Sequence, residues 1–309
     1  MACQVASLAI YNPSLGPTDE TFADQLVFWH SRVAREARSA AKRTGVENVD
    51  VARRDQNERL RQIGLAQGLV NFARTFSGGK PVDGVETGRS RIVLWPPEDG
   101  WWILASVDLA KVTAEVQTDE YSSRGLSPPA LLVQQLRNAH RIFSLHHGSS
   151  WTTLYGSLGR ERFCTALDRF WSRFARTWDV MLHDNPAAEL LGGIKLGGGG
   201  ELGFGVGEED MGSAERAVLQ DLVHRTEGLI DVVVSRFGEA EASGKESLPW
   251  LGSGRQPSSA DGVVFCGVGA ISRIDVGKMS LWIQQIFTDG ELAYGIRQDP
   301  HRERRKRRR

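Results

Sequence analysis

Cysteine is scarce in this chain, and the little there is does not cluster. Cys3, Cys164 and Cys266 are spread over 309 residues. No CxxC pair or zinc-ligand spacing arises from them. So few thiols fit a reducing compartment. Long apolar runs are lacking as well: nowhere do 18 apolar residues follow one another, so no spanning helix is expected. The opening MACQVASLAIYNPSLG has no basic start and reads as a strand rather than a leader. Net charge is absent overall, with 38 Lys and Arg against 38 Asp and Glu. That balance hides an asymmetry. The last nine residues, HRERRKRRR, hold seven of the basic residues and one acid. The body that remains is mildly acidic, which argues against a nucleic-acid-binding face. The basic end reads as a solvated tail, with a nuclear-import or polyanion-binding patch as the alternative.

Catalytic and cofactor motifs are missing in a way that can be traced to single residues. Gly78-Gly79-Lys80 imitates a phosphate loop, but Arg74 stands at the first glycine position and Pro81 at the magnesium-binding hydroxyl. Gly277-Lys278 fails likewise, with Ser272 and Met279 at those positions. The run Gly197 to Gly207 lacks a GxGxxG register and a preceding strand. His140, His146 and His147 have no carboxylate or cysteine nearby to complete a metal set, and the pair is expected to cap a helix end. Cys164 reads as a small core residue. Asp119-Glu120 reads as solvated charge, and no GxSxG occurs. No catalytic residue, cofactor or metal is expected, and nothing points to an enzyme.

What is there is patterned like an ordinary globular domain, with 40% hydrophobic and 25% charged residues. Residues 3–11 and 26–29 read as strands. The stretch 32–55, with Arg32, Arg35, Arg38, Lys42, Arg43, Arg53 and Arg54 and no bulky anchor, reads as a mobile excursion. It is a candidate for attraction to an anionic membrane surface, though it lacks anchors for insertion. A helix is predicted over 57–76, capped by Asn57 and ended by Gly78-Gly79 and Pro81. Strands follow at 92–95 and 101–107, joined by a Pro-Pro-Glu-Asp-Gly turn. Ser127 is expected to cap a helix running to about 145. Phe163, Leu167, Phe170, Trp171, Phe174 and Trp178 form an aromatic stripe on a helix over 158–181. Ten glycines between 191 and 212 read as a linker, and a further helix is predicted over 214–237. After a polar stretch at 239–261, residues 263–272 read as one or two strands and 279–287 as a short helix. This element order predicts an α/β fold: an antiparallel sheet of about five strands with helices on both faces.

The 57–76 helix carries more apolar surface than one sheet uses. Leu65, Leu69, Phe72 and Phe76 form one stripe; Ile63, Ala66, Val70 and Ala73 form another about 110° away. Together they span about 180°, where a single sheet needs about 100°. Either the helix lies between two layers of its own domain, or one stripe meets a partner. Gly64 and Gly68, beside the first stripe, each cost about 1 kcal/mol of helix propensity. Such glycines make sense where another backbone comes close.

The block Ile10-Tyr11-Asn12-Pro13-Ser14-Leu15-Gly16-Pro17-Thr18 resembles the opening signature of the Ccz family of vacuolar fusion proteins. Ile63-Gly64-Leu65 through Val70, Phe72 and Arg74 to Ser77, then Lys80-Pro81, resembles the family's first-helix region. Pro97-Glu98-Asp99-Gly100-Trp101-Trp102 and Leu190-Leu191-Gly192-Gly193-Ile194 resemble later blocks. The resemblance implies a longin-like first domain over 1–238, with insertions at about 31–56 and 195–213. A linker at 239–261, the start of a second longin domain at 262–298 and a basic tail at 299–309 would follow. It further implies pairing with a Mon-type longin subunit, and a heterodimer that promotes nucleotide exchange on a Rab GTPase of the Rab-seven class. No nucleic acid is implied as a partner. The expected location is cytoplasmic, peripheral on the late endosome or vacuole. The expected partner face is the second stripe with the following strand: Ile63, Gly64, Ala66, Val70, Ala73, Ile92, Leu94 and Trp95. A longin scaffold of another trafficking or planar-polarity complex, without exchange activity, is the alternative.

Overall fold

A computed structural model describes residues 3–44, 49–76, 84–112, 120–182, 215–235, 263–265 and 269–296. The Gly78-Gly79-Lys80 segment, the glycine run at 191–212, Asp119, Cys266, the stretch at 239–261 and the basic tail lie outside these residues. The described part falls into two units, one of residues 1–140 with 147–190, the other of 141–146 with 191–309.

The first unit is built on a five-stranded antiparallel sheet in the order β2-β1-β5-β4-β3. Its strands are β1 (Gln4–Tyr11), β2 (Leu26–Ser31), β3 (Gly84–Glu86), β4 (Ser90–Glu98) and β5 (Trp101–Asp108). Alternation along each strand assigns its residues to two faces. Ala9 and Tyr11 of β1, Ile92 and Leu94 of β4, and Trp102 and Leu104 of β5 form one buried layer. That layer is covered by α2 (Val49–Phe76) through Ile63, Ala66 and Val70. Residues of opposite parity meet α3 (Pro129–His147) and α4 (Trp151–Thr177). Trp101 packs its ring edge to face against Trp151 at 5.8 Å and lies 5.3 Å from Phe163. Its indole nitrogen donates to Thr152 Oγ1 at 3.0 Å. On β4, Trp95 meets His140 at 5.3 Å, and Arg91 donates to the Ser127 carbonyl at 2.7 Å. The expected sheet with helices on both faces is therefore present. A short β6–β7 ladder (Ala110–Val112 with Glu120–Ser122) continues beyond β5.

Three element boundaries differ from the sequence reading. Residues 32–44 form a helix, α1 (Arg32–Thr44), where an excursion was expected. The Ser31 hydroxyl accepts from Ala34 N, Ala34 is buried, and Arg32 reaches Asp108 at 2.8 Å. The inward face of α1 is a stripe of alanines, Ala34, Ala37 and Ala41, and the rest of its anchoring is long-range, so no bulky apolar residue announces it. α2 starts at Val49, and Asn57 is an exposed residue inside it rather than its cap. α4 starts at Trp151 rather than near 158, with a break of helical geometry at Gly159 (φ 72°).

The start of α4 is fixed by charge. Glu98 accepts from Trp151 N at 2.6 Å and from the Ser150 hydroxyl at 3.0 Å, while Ser150 accepts from Thr153 N. Burial raises the Glu98 pKa, but the donors of Thr152, Trp151 and Ser150 outweigh it and hold the carboxyl below its usual range. A carboxyl lowered in this way stabilises the fold fully above its unfolded pKa. That contribution is lost as pH falls through the folded value. Glu98→Gln is expected to cost about 1 kcal/mol at neutral pH, the scale of a lost helix cap. In urea titrations repeated at decreasing pH, the gap to the native chain should close once the pH is below about 4.

The second unit contains α5 (Glu215–Arg225), the pair β8 (Val234–Ser235) and β9 (Val263–Phe265), and α6 (Arg273–Asp289). α5 groups with this unit rather than with the first domain assigned from sequence over 1–238. It also ends at Arg225 rather than near 237, followed by Gly228 at φ 82°. Asp231 Oδ2 accepts from the backbone of Ala270 and Ile271, tying the loop before α6. Ser272 caps α6 by accepting from Asp275 N.

Candidate partner-binding surface

α2 crosses the sheet with two apolar stripes, and the structure decides which faces inward. Ile63 and Ala66 are fully buried, and Val70 is 5% exposed. Ile92 and Leu94 are buried in the same layer. These five residues were expected to meet a partner. They are instead the packing between α2 and the sheet, because strand alternation turns Ile92 and Leu94 toward the helix. Trp95, of opposite parity, is half-buried under α3, with the Arg137 guanidinium 5.9 Å from its ring. The side chain of Ala73 lies outside the described residues. Of the described members of the expected set, Gly64 alone is on the open side.

The first stripe is the outward one. Leu65 is 40% exposed, Phe72 is 66% exposed, and Leu69 between them is half-buried. Gly64 and Gly68 flank them, and a methyl group added at either would meet no described atom within 4 Å. The result is a low apolar strip along a helix, with polar groups toward its start. There Glu58 takes a two-pronged hydrogen bond from Arg61 at 2.7 and 2.9 Å. The Arg61 hydrogen bond lowers the Glu58 pKa, against the opposing effect of burial. Gln67 bonds Gln25, which in turn donates to the Gly16 carbonyl at 2.6 Å. Thus the opening turn, with Asn12 accepting from Ser14 N, is tied to the flank of α2. The helical wheel locates both stripes, and burial puts the first of them, not the second, on the open side. The usable signal was the glycine pair, which lies beside the first stripe.

The chemistry-like motifs find ordinary structural roles. Gly277 and Lys278 lie inside α6, where Lys278 pairs with Asp275 at 3.1 Å, so they form no loop. His140 packs between the rings of Trp95 and Trp151. His146 meets the rings of Trp282 and Tyr294 at 4.9 and 5.1 Å, and burial lowers its pKa. Burial pushes the Cys164 thiol up, away from thiolate character. Among the described residues, no three His, Cys, Asp or Glu side chains are placed to hold a metal ion. No described helix is long and apolar enough to cross a membrane.

Comparison with known proteins agrees with this architecture. Residues 5–148 match the model for the first longin domain of INTU, CCZ1 and HPS4. The vacuolar fusion protein CCZ1 homolog of Xenopus laevis is 25% identical over 203 residues, covering 63% of this chain and 37% of that protein. The homolog of Xenopus tropicalis is 26% identical over 204 residues, and that of Danio rerio 23% over 200. The chain thus matches little more than a third of the length of these curated relatives. Residues 5–148 therefore form a longin domain similar to the first longin domain of INTU, CCZ1 and HPS4, and over about 200 residues the chain is similar to the CCZ1 vacuolar fusion protein homologs.

Proposed function

We propose that this chain is one half of a paired-longin platform. With a Mon-type longin subunit it forms a guanine-nucleotide exchange factor for a Rab GTPase of the Rab-seven class. It acts peripherally at a late-endosomal or vacuolar membrane. The single observation that carries the pairing is the outward strip of α2. Two mid-helix glycines cost about 2 kcal/mol together against alanine. No described part of the chain packs closely enough to need their smallness. A partner backbone laid against Leu65 and Leu69 would need it. The name shared by the relatives, vacuolar fusion protein, supports the membrane setting.

The role requires no acid, base or nucleophile. Exchange is accelerated when the factor binds the nucleotide-free GTPase more tightly than the loaded one. The test is release of fluorescent GDP from the Rab, measured with this chain alone, with a Mon subunit alone, and with the co-purified pair. The pair is expected to accelerate release by roughly ten-fold or more, and neither chain alone to do so. A verified heterodimer that leaves the rate unchanged would sink the exchange reading. Because the matching family model also covers INTU and HPS4, that outcome would favour a longin scaffold in another trafficking or planar-polarity complex.

A further inference from the structure

At the β2 edge of the sheet, the two helical layers leave a cleft of about 510 Å³. Its floor is the end of β2. Its walls are α1, the early turns of α2 and the last turns of α4. Register sets the floor. Trp29 stands opposite Ala9 and turns toward the α2 layer, while His30 stands opposite Leu8 and turns toward α4. α1 places Arg35 and Arg38 on one wall, about one turn apart. α4 adds Arg176 from the other side, its Nε donating to the Ser172 carbonyl at 2.9 Å.

Two carboxylates also line the cleft, and both are engaged. Asp55 accepts from Trp29 Nε1 at 3.0 Å and from Arg59 at 2.6 and 2.9 Å. Asp168 accepts from the Ser172 hydroxyl at 2.6 Å. The guanidinium groups of Arg35 and Arg38, by contrast, make no hydrogen bond or ion pair with any described residue. With Asp55 and Arg59 neutralising each other, three arginines face one aspartate. His30 is 8% exposed, and its ring makes no hydrogen bond to a described group. Burial, then the charges of Arg35 and Arg176, lower its pKa against the pull of Asp168. That is the field expected where positive groups converge without their anion.

We infer that this cleft binds a soluble phosphorylated small molecule, gripped by Arg35, Arg38 and Arg176. Guanidinium forks match phosphate oxygens in geometry and charge. The volume suits a metabolite-sized ligand. An adjoining cleft of about 440 Å³ shares His30, Arg35 and Arg176, which leaves room for a second phosphate. A lipid headgroup is disfavoured because α1 exposes a single large apolar residue, Val33, and membrane-docked helices carry more.

Titration calorimetry of the full chain with pyrophosphate, at physiological salt, tests this. A saturable one-site isotherm is expected. Arg35→Gln with Arg38→Gln should weaken it by roughly ten-fold or more, and so should Arg176→Gln on the opposite wall. Arg89→Gln with Arg124→Gln removes the same charge from equally exposed positions outside the cleft and should change nothing. Melting temperatures confirm that each variant is folded. The inference is overturned if no saturable heat appears, or if the control pair weakens binding equally. It is also overturned if the chain binds only phosphatidylcholine vesicles doped with phosphatidylinositol phosphate and not the soluble probe.

Discussion

Val70→Asp is expected to unfold the first unit rather than merely to detach a partner. Val70 is 5% exposed in the layer formed with Ala9, Tyr11, Ile63, Ile92, Leu94, Trp102 and Leu104. No cation lies in that layer, so an aspartate there would be either charged without a partner or neutral and short of hydrogen bonds. Burying such a polar group costs about 2–7 kcal/mol, on top of the lost valine packing. A total near 4 kcal/mol or more consumes much of the roughly 5–15 kcal/mol that holds a domain together. Circular dichroism with urea titration should show the loss directly, and Val70→Ala should cost only about 2 kcal/mol. A Val70→Asp chain that melts at the native temperature would mean that α2 does not pack on the sheet through this stripe.

Much of the first unit was legible from sequence because its strands are short, apolar and well punctuated. β1 ends at Asn12-Pro13, and the Glu98-Asp99-Gly100 turn joins β4 to β5, with Gly100 at φ 80°. The aromatic stripe of α4 also announced itself: Phe163, Leu167, Phe170 and Trp171 are all buried. The elements missed share one cause. α1 turns only small residues inward, Ala34, Ala37 and Ala41, with no bulky apolar side chain to mark a face. It is anchored by the Arg32–Asp108 pair, 76 residues apart in sequence. Likewise α2 begins before the expected cap Asn57, and Asp55 within it is bound by the Trp29 indole across 26 residues.

The partner surface was half legible for a different reason. A helical wheel gives the angle between two stripes but not the position of the sheet. Strand alternation at Ile92 and Leu94 supplies that, and it does so only once β4 is seen to lie beneath α2. The apolar arc of about 180° then resolves into two different surfaces. One holds the helix to its own sheet. The other carries exposed Leu65 and the glycines Gly64 and Gly68, at which an added methyl group would meet no described atom within 4 Å.

That division sets up an experiment in which stability and association move in opposite directions. Gly64→Leu with Gly68→Leu should stabilise the chain by about 1–2 kcal/mol, because leucine has the better helix propensity and neither site meets a described neighbour within 4 Å. The same pair of side chains would stand in the path of any backbone lying along the strip. Overfilling a packed contact costs about 1–3 kcal/mol per site. Association with the Mon-type subunit is therefore expected to fall by roughly 100-fold or more, read by calorimetry or co-purification from a tandem expression strain. A surface without a partner would show the first effect and not the second. A rise in melting temperature with unchanged heterodimer affinity would remove α2 from the interface. A fall in melting temperature would mean that part of this chain already covers the glycines.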